Sequence, residues 1–121
     1  MLFGMCRAVR LTEGTRPLKP GKVRFQFAGE VWSYLNPNAI YFVSLPPDMS
    51  ADILDLVGTS LNPWGTVPVD ATIDDFAFYT SMFPRKDRGC YDLPLNGKVR
   101  KRLRLDAGDM VTVTIEIDAP T

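Results

Sequence analysis

Apolar residues recur along this chain at two spacings, and the spacings decide what it builds. Val23, Phe25, Phe27, Gly29 and Val31 alternate with Arg24, Gln26, Ala28, Glu30 and Trp32. Successive side chains of a strand point to opposite faces, so a period of two predicts a half-buried strand. Asn36-Pro37-Asn38 reads as a turn, and residues 39–45 are apolar on both faces, as in a central strand that Pro46-Pro47 ends. Asp48 or Ser50 then caps a short helix, with Ile53, Leu54 and Val57 on its buried side and Gly58 as its stop. After a turn at Asn62-Pro63-Trp64-Gly65, residues 66–73 alternate again, with Val67, Val69, Ala71 and Ile73 on one face. Asp74-Asp75 joins them to residues 76–83 as a tight hairpin.

Residues 84–89 form a polar loop, and Tyr91, Leu93 and Leu95 mark a short strand in which Pro94 belongs at an edge or end. Asn96 caps a second helix, whose Val99 and Leu103 lie one turn apart on the buried side. The last strand buries Val111, Val113, Ile115 and Ile117 and exposes Thr112, Thr114, Glu116 and Asp118. Five to seven strands with two short helices predict a mainly β fold, a small, partly open β-barrel. Its expected bounds are 23–119. Residues 1–22 have no clear period and read as a leader or linker, with an extra strand near Arg7 to Leu11 and an alternative start at Met5.

Composition narrows the chemistry. With 45% hydrophobic and 23% charged residues the chain is an ordinary globular protein, and 121 residues suit one core. No apolar run approaches the roughly 20 residues of a membrane helix, and the first residues are too soon charged for a secretory signal. A cytoplasmic protein with no membrane contact is expected. Histidine is absent, which removes Ser-His-Asp and Cys-His catalysis, imidazole-bound metals and a histidine pH switch. No cofactor or metal is expected. Cys6 and Cys90 lack metal-ligand spacing and read as reduced thiols, a single disulfide being the other choice.

Three segments carry a resemblance. Trp64-Gly65-Thr66-Val67-Pro68-Val69 comes first, then Thr80-Ser81-Met82-Phe83-Pro84. The third is Tyr91-Asp92-Leu93-Pro94-Leu95, running on through Val99-Arg100-Lys101 to Gly108-Asp109-Met110-Val111. In this order and spacing they resemble the bacterial "domain of unknown function 1905" family, found alone or beside a YdeI/OmpD-associated domain. The resemblance spans about residues 23–118 and implies a small barrel of the double-split kind. It brings no catalytic residues. One departure is Asn96-Gly97, where the family pattern offers Lys-Ala or similar, with Lys98 as the nearest substitute. A second likeness, of residues 103–111 to swapped-hairpin DNA-binding barrels of the AbrB type, implies turn-forming roles for Gly108 and Asp109 rather than a function.

Net charge is zero, yet the signs are segregated. Residues 1–24 hold six bases and one acid, 25–84 seven acids and no base, 85–104 eight bases and two acids, and 105–121 four acids. The candidate working surface is therefore the 85–104 segment. Arg85, Lys86 and Arg88 would act from the loop, and Lys98, Arg100, Lys101, Arg102 and Arg104 from the helix, against an anionic ligand, nucleic acid or an acidic protein. The plainer reading is a solvated charged face, or one lying near the acidic first helix with Asp48, Asp52 and Asp55.

Most of the aromatics belong to the core. Trp32, Trp64 and Tyr79 are the candidates for stacking or a pocket. On this reading the chain is a noncatalytic binding module. An alternative is a small enzyme, or an accessory subunit of one, with a polar cleft near Ser81, Arg85 and Cys90, where a thiol amid bases could be activated. A third is a self-association domain, a homodimer pairing acidic with basic blocks.

Overall fold

The structure, a computed structural model, describes residues 8–10, 22–33, 40–58, 65–85 and 89–118. Its elements are β1 (Ala8–Arg10), β2 (Lys22–Ser33), β3 (Tyr41–Ser44), α1 (Pro47–Val57), β4 (Val67–Ile73), β5 (Phe76–Arg85), β6 (Cys90–Leu95), α2 (Gly97–Leu103) and β7 (Met110–Asp118). The turns expected at Asn36-Pro37-Asn38 and Asn62-Pro63-Trp64 lie outside the described residues.

Every strand pairing is antiparallel, in the order β2-β3-β6-β5-β4-β7, and β7 returns to β2. The small barrel is present as expected, but where the sequence predicts a partly open one the ring of six strands is closed, with β1 added along β2 opposite Phe27, Ala28 and Gly29. Twelve-residue β2 makes closure possible. Its residues 22–30 pair with β7 on one edge, and residues 31–33 pair with β3 on the other.

The period of two places the core. Phe25, Phe27 and Val31 from β2, Val67, Val69, Ala71 and Ile73 from β4, and Val111, Val113, Ile115 and Ile117 from β7 are all buried and share one cluster. Asp74 and Asp75 both have positive φ, 48° and 70°, the backbone of a two-residue hairpin whose twist matches its strands. β3 is covered on both faces: Phe42, Val43, Ser44 and the following Leu45 are all buried.

Each mouth of the ring is closed by a helix. α1 leaves from the end of β3, packs against β6 and adds Met49, Ile53 and Val57 to the core. It begins two or more residues before the expected cap. Pro47 occupies the first turn, where a missing N–H costs nothing, and Pro46 at the N-cap supplies no side-chain bond. Ser50 is instead turned inward, where its Oγ accepts from the Tyr91 N–H at 3.0 Å. Leu54, expected on the buried side, is exposed, because the buried stripe runs Met49, Ile53, Val57. Gly58 ends the helix as expected, its N–H donating to the Leu54 carbonyl.

At the opposite mouth, Asn96 Oδ1 accepts from the Val99 N–H at 3.0 Å and starts α2, as its sequence predicts. Val99 is buried there, and Leu103 packs against the core. The loop after α2 is tied by Asp109 Oδ2, which accepts from the Asp106 N–H at 2.8 Å, and by Gly108, whose N–H donates to the Val31 carbonyl. With φ at 98°, position 108 favours glycine.

Two groups tie stability to alkaline pH. The Lys22 ammonium lies 2.8 Å from Asp118 Oδ1 and 3.3 Å from Asp70 Oδ2, and hydrogen bonds to Asp118 and then Asp70 raise its pKa above 10.5. Burial raises the Tyr91 phenol above 10.0. Both hold their protons longer folded than unfolded, so this stabilisation is complete below about pH 10 and is lost as pH rises through the folded values. We expect Tm to fall above pH 10, and to fall less steeply in Tyr91→Phe. Equal slopes for the two proteins from pH 8 to 12 would remove Tyr91 as a source.

Candidate functional site

Arg85 does not sit in the expected polar loop. β5 runs on through Pro84 and Arg85, which pair with Tyr91 and Cys90. The strand can continue because the Arg85 side chain finds a carboxylate: its Nε–H donates to Asp92 Oδ2 at 2.6 Å. Asp92 is only 1% exposed, and its other oxygen accepts from the Ser44 hydroxyl at 2.6 Å. Ser44 in turn accepts from the Trp32 indole N–H at 2.9 Å. The Trp32 ring stacks on Phe42 at 5.1 Å between centroids, and the Arg85 guanidinium lies 5.5 Å from the Trp32 centroid. Register puts Trp32, Phe42, Ser44, Asp92 and Arg85 together on the outer side of the ring.

This network places two of the expected site residues. Trp32 is engaged in a stack and a hydrogen bond, and Arg85 is half of an ion pair with a buried carboxylate. Charge compensation is the physical reason, since a buried Asp92 is tolerated only with donors on both oxygens. Asp92 and Ser44 escaped the sequence reading because 48 residues separate them.

Among the described residues, Ser81 is not brought together with Arg85 and Cys90. Ser81 and Arg85 share one face of β5 but lie four residues apart, about 13 Å at strand rise. Cys90 faces Arg85 across the strands, is 3% exposed and is disulfide-bonded, so it has no thiolate to offer. The expectation of a reduced thiol is corrected there, and Cys6 lies outside the described residues. Sequence spacing hides such a bond, which needs Cα atoms within about 7 Å and so depends on the fold.

Arg85, the one base of the loop group among the described residues, lies at the β5–β6 end of the ring, while α2 follows the far end of β6. Six residues of β6 separate them, about 20 Å. Lys86, Arg88 and Trp64 lie outside the described residues. Tyr79 is exposed on the outer face of β5, paired with Asp70.

What remains together is α2. Pro94 has no N–H, and pairing of β6 with β5 stops at Asp92↔Phe83. The two strands part there, and α2 packs against β5. The Arg100 guanidinium carbon lies 3.4 Å from the Tyr41 centroid, and Nη2 is 3.8 Å from Asp106 Oδ1. The Arg102 guanidinium lies 5.2 Å from the Phe76 centroid. Both aromatics sit at this mouth, so the rings hold the two arginines in place. Lys98, Lys101 and Arg104 are exposed and make no ion pair among the described residues. Of the two plainer readings, charge pairing with the acidic α1 is not seen, since no ion pair among the described residues joins the two helices, while the exposure of Lys98, Lys101 and Arg104 fits a solvated charged face as well.

Fold and site together define a closed six-stranded β-barrel plugged by a helix at each mouth, one of the helices strongly basic. Residues 27–115 match the family described as "Domain of unknown function (DUF1905)", and the chain belongs to that family. No curated protein matches it. No helix of the described residues is long and apolar enough to cross a membrane.

Proposed function

We propose that this protein is a noncatalytic binding module whose working surface is the outward face of α2, engaging an anionic ligand. One observation carries the reading: of five bases within residues 98–104, Arg100 alone has an acidic partner among the described residues, Asp106 at 3.8 Å. Like charges on one short helix repel by a few tenths of a kcal/mol per pair, and an anion would relieve that cost. The helix is also fixed for the purpose, by the Asn96 cap, by buried Val99 and by the rings under Arg100 and Arg102.

Amide chemical shifts recorded while inorganic polyphosphate is added test it. Saturable shifts clustered at residues 97–104, reversed by salt, are the expected result. An unmoved α2, with or without shifts elsewhere, would refute the assignment.

A further inference from the structure

Resting on that reading, we infer that the anion is the sugar–phosphate backbone of a nucleic acid, bound without regard to base sequence. The first ground is shape. Lys98, Lys101, Arg102 and Arg104 are exposed on the outer side of a helix laid over a barrel mouth. Small ligands are held in concave sites that bury most of their area, and these four side chains are all open to solvent. A polyanion needs no enclosure. α2 is about 10 Å long, and a duplex presents about six phosphates over that length.

The second ground is what the face lacks. Protein interfaces are anchored by aromatic or large apolar residues at a desolvated centre. The exposed side chains of α2 are lysine and arginine alone, and its apolar members, Val99 and Leu103, pack inward. An acidic protein would find charge on this helix but no apolar anchor among the helix's own exposed side chains.

The third ground concerns bases. Reading base edges calls for bidentate amides or guanidinia held toward the groove. Asn96, the only amide side chain on this helix, is spent on its own cap, and Arg100 and Arg102 are held against Tyr41 and Phe76, which leaves Arg104 as the one guanidinium of the segment not seated on a ring among the described residues. Contacts to phosphates position a protein but carry no sequence information.

The test is fluorescence anisotropy with labelled 20-mers of mixed-sequence single-stranded DNA, RNA and duplex DNA, from 50 to 200 mM salt. Pyrophosphate and polyglutamate serve as competitors. Four phosphate contacts predict an affinity loss of about 50-fold for single strands and about 150-fold for duplex over that range. In the triple variant Lys98→Gln, Lys101→Gln, Arg104→Gln the loss should shrink to about threefold. These positions are exposed and unpaired among the described residues, so an unchanged Tm confirms that the variant folds. Affinities should agree between 20-mers of different sequence. Binding of pyrophosphate or polyglutamate with none to nucleic acid overturns this inference and leaves the anion-binding reading standing. No binding to any probe overturns both, as does nucleic-acid binding that the triple variant leaves intact.

Discussion

Replacing Asp92 with alanine is expected to destabilise the protein by about 3 kcal/mol. The carboxylate is 1% exposed and receives two short hydrogen bonds, from Arg85 and from Ser44. Removing it takes this acceptor from both donors. Arg85 keeps a quarter of its side chain in solvent and recovers part of its hydration, which holds the cost below that of a fully buried charge left alone. Ser44 has no such recourse, being 4% exposed. Its hydroxyl would lose its acceptor while still receiving the Trp32 N–H. Asp92→Asn should be milder, since the amide oxygen can still accept from one donor while its NH2 opposes the other. Urea unfolding of the three proteins measures this, read as midpoint shifts at constant m. A change under 1 kcal/mol for Asp92→Ala would mean that solvent reaches the site and that the network is surface decoration. Because Trp32 is part of the network, its fluorescence should also change in the folded state of either variant.

That network shows where sequence reading runs out. Arg85 and Asp92 are seven residues apart in a stretch rich in charge, and nothing local separates a paired arginine from a solvated one. The acceptor that defines the site is shared with Ser44 on β3 and, through it, with Trp32 on β2, so three strands must be placed before the site exists. The same limit hides how far Arg85 stands from α2. Arg85 and Lys98 look adjacent in sequence, but β6 carries the chain from one mouth of the barrel to the other between them. By contrast, β2, β4 and β7 were legible because each has one face in the core, which stamps a period of two on the residues themselves. The Asp74-Asp75 turn and the Asn96 cap were legible for a related reason: their chemistry is completed within a few residues. The start of α1 was not, because Ser50 resembles a cap in sequence and is diverted by a backbone N–H 41 residues away.

Gly29 marks the tightest approach in the barrel wall, and it supports a prediction about pairs of residues. A Cβ at position 29 would lie 2.7 Å from Val43 Cγ1, 3.4 Å from the Ser44 carbonyl oxygen and 3.5 Å from the Ala8 Cβ. Val43 is fully buried, so its methyl group cannot swing into solvent. Nor can β2 retreat: Gly29 pairs with Val111 on one side and Ala8 on the other, and two residues on, Val31 pairs with Val43 itself. Gly29→Ala is therefore expected to cost about 2 kcal/mol through overpacking. Val43→Ala alone is expected to cost about 2 kcal/mol through lost burial and the cavity left behind. Combined, the new methyl group at position 29 fills part of the space that the two lost Cγ methyl groups of Val43 leave. The double variant should then be at least about 1 kcal/mol more stable than the sum of the single costs predicts, a coupling of the size seen for residues in direct contact. Strict additivity in the thermal or urea unfolding of the four proteins would show that the β2–β3 seam relaxes around the new Cβ. The ring would then close more loosely than a 2.7 Å approach demands.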